Sequence, residues 1–273
     1  MTALWMIHSG TIMSSVVKTL RYAWVSRRAW WFTATARTKE RFARTALGSF
    51  WLGISNLLSI GVLATVYGAV FKVKDFGTYV VFLGTGLVIW NAIASAVQSA
   101  PGLFRANAGN IKNTNIHPIF FTLEEWSFQV QTFFQSFGLV LLALMFIQPS
   151  LLLHLFTSGL LPLINLLIFL YWLPLLLCLL GARYEDLYQL IPIAMQLMFL
   201  LSPILYQKEA LGALGWTADL NPLYRVLSNL RHALIQGELK MGQTLIVLFI
   251  NLIGVLTSLW LLERQRRELP FLV

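Results

Sequence analysis

One uninterrupted run of 57 residues, Trp126–Ala182, contains no Lys, Arg, Asp or Glu. Written as a single helix it would be about 85 Å long at about 1.5 Å per residue, far beyond the roughly 30 Å of a bilayer's hydrocarbon. The run must therefore fold back on itself, and Gln148-Pro149-Ser150 supplies the turn. Four more charge-free stretches, Thr45–Phe71, Phe76–Phe104, Leu187–Gln207 and Met241–Leu262, contain 27, 29, 21 and 22 residues. Each reaches the length of about 20 apolar residues that a helix needs to cross a membrane. An all-α membrane protein of six spans is the expectation.

Composition agrees. Charged residues make up 11% of the chain and hydrophobic residues 58%, against roughly 25% charged in a soluble domain. That excludes a water-soluble enzyme and a disordered tail. The net charge of +9 would suit nucleic acid only if the cations shared a hydrated face, but here they lie between apolar runs and are read as topology signals. With both termini in the cytoplasm, 14 Lys and Arg fall inside and six outside, which sets the orientation. The first 17 residues lack charge, and the cations follow them, the reverse of a secretory signal; this leader is expected to be retained. Cys178, the single cysteine, lies inside an apolar run and can form no internal disulfide.

Three regions follow: an N-terminal interfacial segment (1–44), the membrane domain (45–262) and a cytoplasmic tail (263–273). Within the first, Val16–Phe32 fits one amphipathic helix on the membrane surface, with Val16, Val17, Leu20, Ala23, Trp24, Trp30 and Trp31 on its apolar side. Arg37, Arg41 and Arg44 then form a basic stripe at i, i+4 and i+7. Two roles suit the stripe: binding anionic lipid to enforce topology, or contacting a phosphate-bearing substrate. Residues 105–118 form a polar loop between spans two and three, carrying Arg105, Asn107, Asn110, Lys112, Asn113, Asn115 and His117, long enough to be a docking element and not only a connector. No second metal ligand accompanies His117, so it is read as a polar loop residue, and no metal site is expected. Segment 208–240, outside, should hold two short interfacial or re-entrant helices broken at Asn221-Pro222.

Polar residues recur inside the spans. Asn91, Ser95, Gln98 and Gly102 repeat along the second, and Glu125, Gln129, Thr132 and Ser136 along the third, as interhelical glue would. The first span aligns Ser49, Gly53, Asn56, Ile60, Tyr67 and Phe71; the fifth aligns Gln189, Pro192, Gln196, Phe199, Pro203 and Tyr206. Mixed amides and aromatic rings suit a path for sugars, whose hydroxyls take hydrogen bonds and whose C–H faces pack on rings; they also suit bundle packing. The spans place no clustered titratable set at one depth for catalysis or proton relay. Gly48–Ser55 has Ile54 where a phosphate-binding loop needs lysine. Any energy must come from another chain.

Several segments together resemble a known family. Arg44-Thr-Ala-Leu-Gly-Ser-Phe-Trp-Leu, Gly86-Leu-Val-Ile-Trp, Ala182-Arg-Tyr-Glu-Asp, Leu201-Ser-Pro-Ile-Leu-Tyr, Asp219-Leu-Asn-Pro-Leu-Tyr and the ending Arg266-Arg-Glu-Leu-Pro-Phe-Leu-Val are similar in order and spacing to ABC-2 type polysaccharide export permeases, the O-antigen exporter subgroup above all. The resemblance implies a homodimer in the bacterial inner membrane, working with two copies of an ATP-binding subunit that holds the ATP and Mg, so this chain carries no cofactor. It implies export of a lipid-linked glycan from cytoplasm to periplasm, through a channel lined by spans one and five at Asn56, Tyr67, Phe71, Gln196, Phe199 and Tyr206. Arg105, Asn110, Lys112, Asn113 and His117 would couple to the ATPase, and Arg183–Asp186 would form the second cytoplasmic turn. Arg37, Arg41 and Arg44 would receive the lipid's phosphates, and the helices of 208–240 would be periplasmic gates. Glu124-Glu125-Trp126 departs from the basic residues common in relatives at that place. Two other readings remain: an ABC-2 exporter of a small drug or lipid, and a membrane-embedded glycan-modifying enzyme.

Overall fold

A computed structural model describes residues 16–273, which contain helices, turns and no strand. The retention of the leader concerns residues that lie almost wholly outside those described. Residues 16–25 form α1, and α2 follows as Arg27–Phe42. The expected single surface helix is thus two. The break falls at Ser26, whose backbone turns away from helical values (φ −84°, ψ 8°) and whose hydroxyl donates to the carbonyl of Tyr22 at 2.7 Å. The second helix carries Arg37 and Arg41 of the basic stripe and ends before Arg44, which lies in a turn.

Among the described residues, five helices are long and apolar enough to cross a membrane: α3 (Phe50–Val70), α4 (Phe76–Ser99), α7 (Ile119–Leu144), α9 (Leu160–Arg183) and α13 (Met241–Gln265). Asp75 starts α4, its carboxylate accepting from the Thr78 backbone N–H at 3.1 Å and the Thr78 hydroxyl at 2.6 Å. The polar linker 100–118 contains two short helices, α5 (Leu103–Ala106) and α6 (Ala108–Asn113). The long apolar run breaks where the sequence suggests, and α8 (Ser150–Thr157) starts after Pro149. Gly159 adds a second break before α9.

Helix α4 is the centre of the bundle. Two thirds (67%) of its most apolar window is buried, against 17% for α3. Its neighbour α7 runs antiparallel to it, with Ser99 near Glu125 and Gly84 near Leu144. On the other side α9 and α13 run parallel. The Asn165 amide donates to the Thr244 carbonyl at 3.0 Å, Trp172 Nε1 to Asn251 Oδ1 at 2.9 Å, and Leu175 and Leu179 share a core with Leu259 and Leu262. Gly254 lets the Trp172 ring lie on the α13 backbone, since a Cβ there would come within 2.3 Å of the ring.

Parallel α9 and α13 require the chain between them to return along the bundle. Helix α10 (Leu187–Leu201) makes the first part of that return. The expected fifth span, Leu187–Gln207, is not a continuous helix: its 15 helical residues reach only about 22 Å. Pro203 is the cause, because it lacks an N–H and forces Ser202 into extended backbone (ψ 131°). The non-helical residues 202–206 complete the passage. Tyr188 lies on Gly102 near one end of α4, Phe199 on Trp90 midway, and the Tyr79 hydroxyl donates to the Leu205 carbonyl at 2.7 Å near the other end.

Residues 208–240 form a 3-10 turn (Lys208–Leu214), α11 (Gly215–Leu220) and α12 (Pro222–Gln236). Asn221 makes the break, its side chain accepting from the N–H groups of Leu223 and Tyr224 at 3.0 and 3.4 Å. Helix α12 packs against α4, α8 and α9. A last short turn, α14 (Leu269–Leu272), closes the chain. The end of the bundle with α2, α5 and α6 is called the near end below, and that with α8, α11 and α12 the far end.

Candidate functional site

At the near end, α2 is fastened to α7 by charge. Arg37 donates to Glu125 at 2.6 Å, lies 3.7 Å from Glu124, and sits 4.2 Å over the Phe128 ring. Glu125 also accepts from Ser99 at 3.0 Å and Gln129 at 2.8 Å, and Gln129 accepts from Ser95 at 2.9 Å. This lattice joins three helices. It changes the expectation for the basic stripe, because Arg37 already has its counterions in Glu124 and Glu125. Among the described residues Arg41 reaches aromatic faces, 5.8 Å from Phe128 and 5.6 Å from Phe42, and both Arg41 and Arg44 are exposed.

The loop expected to couple is held from beneath by apolar anchors. Phe104 and Ile111 are buried, while Asn110, Lys112 and Asn113 point outward. Exposed Arg105 pairs with exposed Glu185 at 2.9 Å, so the two turns at this end touch. His117 departs from its expected place on that surface: it is 6% exposed. It contacts the Thr19 hydroxyl at 3.1 Å and Glu263 at 3.3 Å, and its ring lies 5.3 Å from that of Tyr22. Thr19 also donates to Glu263. The imidazole therefore ties α1, the loop and the end of α13 together, and its own chain covers it. Burial first, then the Arg266 cation, push its pKa down to about 4 against the opposing pull of Glu263.

Between the near end and the far end, three helices present polar groups at their surfaces. On α4, Asn91, Ser95 and Gln98 share one exposed face; α10 exposes Gln189 and Gln196; α3 exposes Ser55, Ser59 and Thr65. Asn56 is half-buried, donating to Ser136 at 2.7 Å and accepting from Asn91 at 2.7 Å. The α4 stripe, read as glue from sequence, is therefore only partly covered. An exposed amide at hydrocarbon depth is costly unless it faces protein or water.

The far end opens into a cavity of about 1270 Å³. Phe71 and Tyr206 line it, and Tyr67 stacks on Phe71 with ring centroids 5.7 Å apart. Tyr67, Phe199 and Tyr206 all pack on one small core of Ala64, Tyr79, Leu83 and Leu205. Three of the six residues expected along a path, Tyr67, Phe71 and Tyr206, thus gather at or beside this cavity, and Phe199 sits between it and the middle of the bundle, on the Trp90 ring. Asn56 and Gln196 lie nearer the middle. Sequence reasoning missed Arg231, which lines the cavity yet is 5% exposed. A signal existed: Arg231 falls among Leu227, Leu230 and Leu234, on the apolar face of its helix.

A bundle of long apolar helices with paired turns at one end and a basic cavity at the other is the form of a multi-span membrane protein. Residues 29–235 match the ABC-2 type transporter family. The chain belongs to that family. Among curated relatives, an O-antigen export system permease protein RfbA of Klebsiella pneumoniae is 25% identical over 84% of this chain and 88% of its own length. A second RfbA of the same organism is 27% identical over 74% of this chain and 78% of its own.

Proposed function

We propose that this chain is the membrane half of an ABC exporter that moves a lipid-linked, O-antigen-like polysaccharide from cytoplasm to periplasm, with ATP hydrolysis on a separate subunit. The observation that carries the proposal is the exposed polar face of α4 at Asn91, Ser95 and Gln98, flanked by the polar surfaces of α3 and α10. Asn91 and Ser95 already bond Asn56 and Gln129, but a lone subunit in lipid would leave their remaining hydrogen-bonding capacity and the exposed Gln98 amide facing hydrocarbon. Two copies meeting across this face would enclose a polar seam, along which sugar hydroxyls exchange hydrogen bonds.

The near end is cytoplasmic in this reading, as the distribution of Lys and Arg supports. Asn110, Lys112 and Asn113 meet the ATPase directly, while buried His117 stiffens the loop behind them. Arg105 and Glu185 make the two cytoplasmic turns move together. Arg41 and Arg44 receive the phosphate of the lipid carrier, and Arg37 holds α2 in place. Six crossings result when α10 and the extended residues 202–206 are counted as one, a count supported by the parallel pairing of α9 with α13. ATP-driven closure of the partner subunits shifts the seam between closed and open states by its differential affinity for them.

Replacing Asn91, Ser95 and Gln98 together with Leu tests the seam. Surface glycan is expected to fall by about tenfold or more, a barrier change of about 1.4 kcal/mol, while membrane insertion and co-purification with the ATPase persist. Unchanged surface glycan removes the seam from the account. In reconstituted complexes, ATP hydrolysis should rise with lipid-linked glycan; a rise with lipophilic drugs instead would favour the small-molecule exporter.

A further inference from the structure

Arg231 is a cation deep in the protein with no carboxylate beside it among the described residues. Its guanidinium carbon lies 3.9 Å from the Phe82 ring centroid, and a Cβ on Gly86 would stand 3.0 Å from its Nη1. Phe82 and Gly86 lie six and ten residues into α4 from Phe76, about 9 and 15 Å along a helix. The charge therefore sits well inside the far half of the bundle. It donates hydrogen bonds to the Pro203 carbonyl at 2.9 Å and the Tyr224 hydroxyl at 3.4 Å. No Asp or Glu lies within ion-pair distance of it among the described residues.

A guanidinium carries five N–H donors in a planar fork. Holding one carbonyl at the α10 break needs a single donor, which a neutral amide could supply without burying a charge. An unmatched buried cation is strongly unfavourable unless something neutralises it. The cavity it lines has an excess of positive charge: Lys74, Lys208, Arg225, Arg231 and Lys240 against Asp75, Glu209 and Asp219. Lys208 and Asp219 neutralise each other at 2.5 Å. The neighbouring Tyr224 hydroxyl, which accepts from Arg231, keeps its own proton free to donate.

We propose that the far-end cavity holds an anion-binding site in which Arg231 receives a phosphate or carboxylate group and Tyr224 donates a second hydrogen bond. The group belongs either to the cargo leaving the seam or to an anionic lipid headgroup drawn in from the outer leaflet. The cargo source rests on the export reading; the site itself does not.

The test uses the full-length permease in nanodiscs without its ATPase, titrated by calorimetry with inorganic pyrophosphate and, separately, glucuronate. Saturable binding is expected in phosphatidylcholine discs. Arg231→Gln should weaken it by about tenfold or more, about 1.4 kcal/mol, with Arg231→Lys and Tyr224→Phe intermediate. Added phosphatidylglycerol that competes with the probe assigns the site to a headgroup; affinity indifferent to that lipid assigns it to the cargo. Equal affinity in Arg231→Gln, or no binding by the wild-type chain, overturns the proposal. Should Arg231→Gln fail to fold, unchanged affinity in both Arg231→Lys and Tyr224→Phe overturns it equally. Because no transport is measured, failure here leaves the export reading standing, and failure of export leaves the anion site standing.

Discussion

At the near end the Glu125 carboxylate meets Arg37, Ser99 and Gln129, whereas at the far end Arg231 has a backbone carbonyl and a phenol and no carboxylate. Both charges are buried in a chain with few charges to place. The first is matched on every side, so it acts as a joint between α2, α4 and α7. The second is matched only partly, beside an open cavity, so its charge remains available to something that arrives. A paired buried charge fastens helices, and an unpaired one facing a cavity is a receptor for a ligand.

Removing the joint should have the largest effect on stability. Glu125→Ala takes the carboxylate acceptor from Ser99 and Gln129 and leaves Arg37 with Glu124 alone; at about 1 kcal/mol per lost hydrogen bond it is expected to cost about 3 kcal/mol, read as a lower melting temperature in detergent. Arg37→Ala should cost about 1 kcal/mol or less, because that side chain is 44% exposed and its pairing is screened. A Glu125→Ala protein that melts like wild type would dissolve the contrast.

Gly254→Ala probes a joint made of shape alone. Its new methyl would press into the Trp172 ring, with an expected cost of about 1–3 kcal/mol, and the Trp172 to Asn251 hydrogen bond should loosen. Tryptophan fluorescence would report the displaced ring.

Arg231→Met sharpens the comparison from the other side. Two hydrogen bonds are lost, but a buried charge goes with them, so stability should stay within about 1 kcal/mol of wild type. If this variant melts as early as Glu125→Ala, Arg231 is a structural anchor like Glu125.

The smallest effect concerns pH. Burial holds His117 at a pKa of about 4 when folded, below the ordinary value near 6.5. Above pH 6.5 the ring is neutral in both states and has no pH-linked effect. As pH falls from about 6.5 towards 4, the unfolded chain takes up the proton more readily, and stability declines. A melting temperature that drops between pH 7 and 5 in wild type, and drops less in His117→Gln, is the expected result.

Much of the architecture was legible from the positions of charge and proline. The turn at Gln148-Pro149-Ser150 and the break at Asn221-Pro222 both fall where the sequence puts them. Pro203 also announced itself, yet its effect on the length of α10 was missed, because hydropathy continues through residues that the backbone can no longer keep helical. The site was less legible. Arg37 looked like a free member of a basic stripe, and its partners lie 87 and 88 residues away. His117 looked like a surface loop residue, and Thr19 and Glu263 bury it from opposite ends of the chain.

The sequence by itself determined that the chain lives in lipid, which segments become helices and where most of them stop. Those outcomes follow from transfer free energies and backbone restrictions, which are properties of short stretches. Only the tertiary structure decided which polar groups are satisfied: that Glu125 is enclosed, that Asn91 and Gln98 are left at the surface, and that Arg231 faces a cavity. These depend on how each helix is rotated about its axis against neighbours far away in sequence, and no local property of the chain encodes that rotation.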